Sequence, residues 1–397
     1  MLTAIIEDGK SISLLDDEVR KYIHEWRNDY KFFCSACGSK LVVKLGAKRI
    51  WHFAHETTSY CEAQAEGESD YHLTGKKQLY EYFISKGYDA TLEPYLHNLK
   101  QRPDILLQRK NSIAVEFQCA TVPRTRIIER TRGYQTAHIR PLWILGEKRL
   151  KRISASLFRI PTFDWTFLFP YQREPTLLYY CPHSYHLLIL SHITPFSSQT
   201  TLAHLSIKPL QTKTDNSIPF KQEKSIYQLW LLEKKKWRSR AGMFHSPLQH
   251  RFATLLYEQG IHLSYLPAEV GVPIPSLYMI ETSAMMWQAW IWLTFIKPLP
   301  LGSVIHLNKV IDQFKRALQS GLFKVRQLPM YPTTHYSIAI KEYLELLTRL
   351  SYLQKKNECI FQKIQAFNQC NNIEQAFHYD QEVMGKINKL NNNVSTF

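Results

Sequence analysis

A chain of 397 residues is longer than one hydrophobic core ordinarily spans, so two or more domains are expected. Hydrophobic residues at 45% and charged residues at 21% place the chain among ordinary globular proteins rather than disordered ones. The formal charge, 50 − 34 = +16, favours a polyanionic partner, because Lys and Arg contacts to phosphate release counterions.

The opening residues 1–14 alternate apolar and polar side chains about Asp8-Gly9, a hairpin signal. Glu7 and Asp8 stand where the apolar core of a secretory signal would lie, so a reduced, cytoplasmic setting is expected. A polar, helix-compatible connector runs from Asp16 to Tyr30. Lys31 to His55 then reads as a compact β module. Within it, Cys34-x-x-Cys37-Gly38 has the form of a zinc knuckle, with two thiolates on a tight turn. His52 and His55 supply a second pair, and Cys61 is a further candidate. A structural Zn²⁺ held by at most four of these five residues is expected. Two histidines on one strand would not both face the metal without a turn, so Cys61 can replace either one.

Glu66 to Lys86 is helical in pattern and ends at Gly87, as a C-cap would. Three strand-like runs follow, YDATLEPYL, DILLQR and IAVEFQCAT, and Asn111-Ser112 makes the last two an antiparallel hairpin. Pro123 opens a second helix to about Ala137, leading to the strand PLWILG. The order helix, three strands, helix, strand is a small α/β sheet with helices packed on it. Beyond residue 150, Ser154 to Ile207 is aromatic and β-containing or irregular, and from Ser225 long helical segments dominate before a polar tail that frays. The most apolar run, Ala284 to Ile296, is shorter than the roughly 17–25 residues that cross a bilayer, so no membrane span is expected. The domains are expected at 1–62, 63–150 and 151–397.

The chemistry concentrates in the middle of this order. Asp104 heads one strand, in Arg102-Pro103-Asp104, and Glu116 and Gln118 share one face of the next. Carboxylates on neighbouring strands form a hard-oxygen site for Mg²⁺ or Mn²⁺, which can activate water against a phosphodiester. Glu116 lies in an otherwise almost wholly apolar strand, where a carboxylate is costly unless paired or bound to a cation. Glu68, His72 and Lys76, at i, i+4 and i+8, line one helix face. Glu68 would be a third carboxylate ligand, with His72 and Lys76 contacting phosphate or orienting water.

Taken together, Glu68-Ser69-x-x-His72-x-x-x-Lys76, Arg102-Pro103-Asp104 and Glu116-x-Gln118 are similar to the nuclease domain of CoiA-like competence proteins, within the wider PD-(D/E)xK nuclease-like group. The cysteine module upstream and the WILG strand downstream match that family's order. The resemblance implies a restriction-endonuclease-like core, preceded by a small β zinc-ribbon-like module and followed by a mainly helical C-terminal region. It also implies a role in DNA uptake and recombination during natural transformation. Gln118 departs from the wider group, which places a catalytic Lys there, although relatives of this chain carry Gln too. Glutamine cannot carry the positive charge.

Arg124, Arg126 and Arg130, on the helix after the hairpin, are read as DNA contacts near the site. Lys234-Lys235-Lys236-Trp237-Arg238-Ser239-Arg240, the densest basic run, is a further candidate DNA contact. Trp287, Trp290 and Trp292 have neighbours too apolar for an exposed surface and are read as core or interface. Two functions follow. One is a metal-dependent deoxyribonuclease acting on DNA, single-stranded by preference. The other is a noncatalytic DNA-binding recombination mediator that keeps the nuclease fold and meets recombination or uptake proteins through its helical half.

Overall fold

The computed structural model describes all residues except 57–60, 62–67, 211–217, 220–224, 242–246, 332–334 and 393–397. The expected helix start at Glu66 and the expected frayed end of the tail therefore lie outside the described residues. The chain divides into two compact units.

The first unit comprises Met1–Leu150, Leu177–Leu190 and Leu205–Pro219. It opens with a hairpin, β1 (Thr3–Ile5) and β2 (Ser11–Ser13), turned at Gly9 with φ +85°. Helix α1 (Asp17–Asp29) follows, its first amides capped by the Asp16 carboxylate, with Val19 and Ile23 buried beneath it. Strands β3 (Phe32–Phe33), β4 (Lys40–Lys44) and β5 (His52–His55) complete a sheet in the order β2-β1-β3-β4-β5. This sheet packs around Phe32, Leu41, Val43 and Phe53, forming a core of its own.

Helix α2 (Asp70–Ser85) starts on the Ser69 side chain, which accepts the His72 amide at 3.2 Å, and stops where Gly87 takes φ +76°. Strands β6 (Asp89–Leu92), β7 (Ile105–Gln108) and β8 (Ile113–Gln118) run antiparallel. Helix α3 (Arg124–Thr136) then returns the chain to β9 (Arg140–Gly146), which pairs parallel with β8. The register is fixed by burial. Ile105, Leu107, Val115, Phe117 and Ile144 lie in one core with Leu73 and Leu79 of α2. Residues Leu177–Cys181 add a further strand parallel to β9, and His186–Leu190 pair antiparallel with them. Close approach of α2 to β8 depends on Gly75, where a Cβ would meet the Phe117 ring at 2.1 Å.

The second unit is mainly helical. Its core gathers α4 (Ile226–Ser239), α5 (Pro247–Tyr257), α6 (Ala284–Ile291), α7 (Leu307–Gln319), α8 (Ser337–Arg349) and α9 (Ile373–Asn392). A three-stranded antiparallel sheet of Val304–His306, Ile360–Lys363 and Leu353–Asn357 belongs to it. Trp287, Trp290 and Trp292 are all buried in this core, packed edge-on against Phe314, Tyr343 and Phe295 or stacked on Phe367. Among the described residues no helix is long and apolar enough to cross a membrane.

The basic run is corrected at two of its positions, while Lys235, Lys236 and Arg240 stay exposed. Lys234 and Arg238 are fully buried, not presented to a polyanion. They sit four residues apart on the face that also buries Trp230, and both bind Asp380 of α9. Lys234 also donates to the Ala268 and Val270 carbonyls, and Arg238 to those of Ser264 and Leu266. Spaced at helical period and satisfied on every side, these cations hold loop and helix together rather than meeting a ligand.

Candidate active site

Strand β8 has two faces, and the candidate residues divide between them. Phe117 turns toward α2, where Tyr71 stacks on it at 6.0 Å and the His72 ring lies at 5.8 Å. Glu116, one residue earlier, turns toward α3, where Arg130 and the Tyr134 hydroxyl both donate to its Oε1. This is the period-two alternation of a strand, carried into two separate networks.

On the α2 side, Lys76 is the centre. Its ammonium, 1% exposed, binds Glu68, Glu93 Oε1 at 2.6 Å and Asp104 Oδ1 at 3.0 Å. His72 stands between two of these acids, with Nε2 3.3 Å from Asp104 Oδ2 and Nδ1 3.7 Å from Glu68 Oε1. The Met1 amine lies 2.6 Å from Glu68 Oε2, and the Phe117 amide donates to Asp104 Oδ2 at 2.8 Å. Burial alone would push the Glu68 and Asp104 carboxyls up, but the adjacent Lys76 ammonium, with His72, holds both well below the ordinary carboxylate range. Burial would likewise lower Lys76; Asp104, Glu68 and Glu93 together raise it well above an ordinary lysine. Three carboxylates face the Lys76 ammonium, and the Met1 amine and Arg102 add positive charge beside Glu68 and Glu93. Ligand atoms of Glu68, His72 and Asp104 lie within 4.8 Å of one another, a group able to hold a cation.

On the α3 side, burial and the nearby Asp104 charge outweigh Arg130 and raise the Glu116 carboxyl. Glu116 is thus engaged by α3 rather than gathered with Glu68 and Asp104. Gln118 shares its face, and its amide donates to the Ala120 carbonyl at 2.8 Å. Both networks line one cavity of 420 Å³, whose wall also includes Arg126, Lys148 and Arg149. Arg124 does not line it.

Several of these groups escape a reading of the sequence. Glu93 holds Lys76 and accepts from the Leu2 and Thr3 amides, yet in sequence it is only an acid at a strand's end before a proline. Arg102 is buried with its guanidinium 3.6 Å from Cys34 Sγ, although its sequence context suggested only a strand's head. Lys148 and Arg149 had one available signal, a basic pair one residue beyond the WILG strand.

The N-terminal module offers a second donor group. Cys34, Cys37, His55 and Cys61 bring their ligand atoms within 4.8 Å of one another. Cys37 Sγ lies 3.4 Å from His55 Nε2. His52 is directed away, its Nδ1 2.9 Å from the Ile50 carbonyl oxygen. Three residues apart on β5, the two histidines point to opposite faces, so only one reaches the cysteines. Burial would raise the Cys37 thiol, but hydrogen bonds from Ser39, His55 and Cys61 bring it down to about 6. Three sulfurs and one imidazole fit the donor set of a tetrahedral structural metal site.

Comparison with known proteins gives this architecture a family. Residues 15–64 match the model described as "Competence protein CoiA, N-terminal domain", residues 68–223 the nuclease-like domain, and residues 226–377 the C-terminal domain. The chain is 31% identical over 337 residues to "Competence protein CoiA" of Bacillus subtilis (strain 168), covering 83% of this chain and 89% of that protein. No solved structure matches it. With all three models matched in order, and this identity spread over most of both chains, the protein belongs to the CoiA competence family and carries its nuclease-like domain.

Proposed function

We propose that the nuclease-like domain hydrolyses phosphodiester bonds of DNA, single-stranded by preference, during natural transformation, with a divalent cation held by Glu68, His72 and Asp104. The carrying observation is that their ligand atoms converge within 4.8 Å on the wall of the 420 Å³ cavity. A bound cation there would lower the pKa of a coordinated water and offset charge on the scissile phosphate. An imidazole beside two carboxylates suits Mn²⁺ better than Mg²⁺, which prefers oxygen donors. Lys76 keeps Glu68 and Asp104 ionised, and the Phe117 amide orients Asp104. Arg126, Lys148 and Arg149, on the same cavity, are assigned to the phosphates flanking the scissile bond. In the N-terminal module, Cys34, Cys37, His55 and Cys61 are assigned to a structural Zn²⁺.

One observation favours the noncatalytic mediator instead. Glu116, which would complete a three-carboxylate site, is engaged by Arg130 and Tyr134, and Gln118 beside it bears no charge. Purified protein, incubated with end-labelled single- and double-stranded DNA and either cation, separates the two. Cutting is expected, faster with Mn²⁺, and absent in Asp104→Ala. Binding without cutting in any metal would leave the mediator reading standing and remove the nuclease.

A further inference from the structure

The seven-residue connection between β4 and β5 and the last turn of α1 enclose a groove of 640 Å³, lined by none of the cysteines and by none of the residues of the cavity just described. Arg27, Lys44, Lys48 and Arg49 line it together with His52, and no carboxylate does. All four cations are exposed, and among the described residues none of them forms an ion pair. Four like charges around one concavity repel each other, and none of the residues lining it offsets them. Such a concavity focuses positive potential and suits a polyanion.

We propose that this groove binds the phosphodiester backbone of a single-stranded nucleic acid, as a site distinct from the cation-binding cavity. The same helix that contributes Arg27 exposes Tyr22, and Tyr30 caps its end, 40% and 41% accessible. Neither ring lines the groove, so they offer stacking positions to a strand that runs on along this helix, and only unpaired bases are free to stack. The groove is also tied to the candidate active site. Ile50, on its wall, donates its amide to Asp70 Oδ1 at 2.9 Å, and Asp70 lies two residues from both Glu68 and His72. A strand held in the groove therefore lies beside the segment that carries two of the candidate ligands. The inference rests on the DNA reading above and adds a second anchor to it.

The test is fluorescence anisotropy of a labelled single strand with the full chain, without added divalent cation, across a salt series. Lys48→Ala/Arg49→Ala should weaken binding equally for unrelated sequences. It should also reduce the slope of log K against log salt by about 1.4, roughly 0.7 for each phosphate no longer neutralised. A charge-matched control, Lys309→Ala/Lys315→Ala on the exposed face of α7, should bind as wild type does, and circular dichroism should show both variants folded. Wild-type affinity and slope in the double variant would overturn the groove while leaving the nuclease reading intact. No binding by the wild type would remove both. Equal losses on a duplex bound as tightly as the single strand would overturn the single-strand assignment. A charge-dependent loss seen on phosphatidylserine vesicles but not on DNA would give the groove to a membrane surface instead.

Discussion

Lys76 carries more of the site's electrostatics than any other side chain. It is fully enclosed, and its three carboxylate partners face one another across it. Removing a buried charge strands its partners, at a cost of about 3–5 kcal/mol. Lys76→Met should therefore lower unfolding free energy by about that amount in urea denaturation. A loss below about 1 kcal/mol would mean that the acids relax to solvent or take up protons without penalty. The metal sites invite a residue-level test too. Zinc content by mass spectrometry should persist in His52→Ala, whose ring points to the Ile50 carbonyl, and fall to near zero in Cys61→Ala. Equal zinc in both variants would refute the assignment of Cys61. In sequence Cys61 was a further candidate able to replace either histidine. Strand alternation allows only one histidine, and which one serves depends on which face of β5 meets the cysteines, which no local pattern encodes.

At the scale of elements, α2 and α3 flank β8 and split its side chains between them. The helix, hairpin, helix and strand were all legible, because apolar periodicity, Asn111-Ser112 and Pro123 each mark a boundary by local chemistry. The partition of the acids was not. Glu116 and Asp104 are close enough to affect each other's ionisation, but Glu116 faces Arg130 and Tyr134 while Asp104 faces Lys76 and His72. In the second unit the basic run on α4 shows the same limit in reverse. Composition reads Lys234 and Arg238 as solvated or ligand-binding, whereas Asp380, 142 residues from Arg238 in sequence, buries them. Asp380→Ala removes the acid that binds both enclosed cations, so it should destabilise the full chain by about 3–5 kcal/mol. Thermal or urea unfolding measures this, and an unchanged midpoint would show that the cluster is not holding α4 to α9.

At the scale of the molecule, the first unit is discontinuous in sequence. Leu145 and Gly146 of β9 pair with Tyr179 and Tyr180, beyond residue 150. Tyr180 also donates its hydroxyl to Gln78 at 2.7 Å, and its carbonyl accepts the Tyr71 hydroxyl. A fragment ending at residue 150 would leave the outer edge of β9 unpaired, and uncovered edges template aggregation. Such a fragment should be markedly less soluble on expression than the full chain. Recovery of a soluble, cooperatively unfolding 1–150 fragment would show that the later strands are dispensable.

What the sequence determined by itself is local and periodic: the order of elements, the spacing of Cys34 and Cys37, the helix face of Glu68, His72 and Lys76, and the motif that marks the family. These depend on residues within a few positions of each other, and helix and strand geometry translate such spacing directly into shared faces. Only the tertiary structure decided which of those residues meet. It placed Glu93 against Lys76, chose His55 over His52, gave Glu116 to Arg130, and turned the α4 lysine and arginine inward to Asp380. Each of these is a long-range ionic or donor contact whose partner is set by chain return. Burial makes it strong only after the chain has folded.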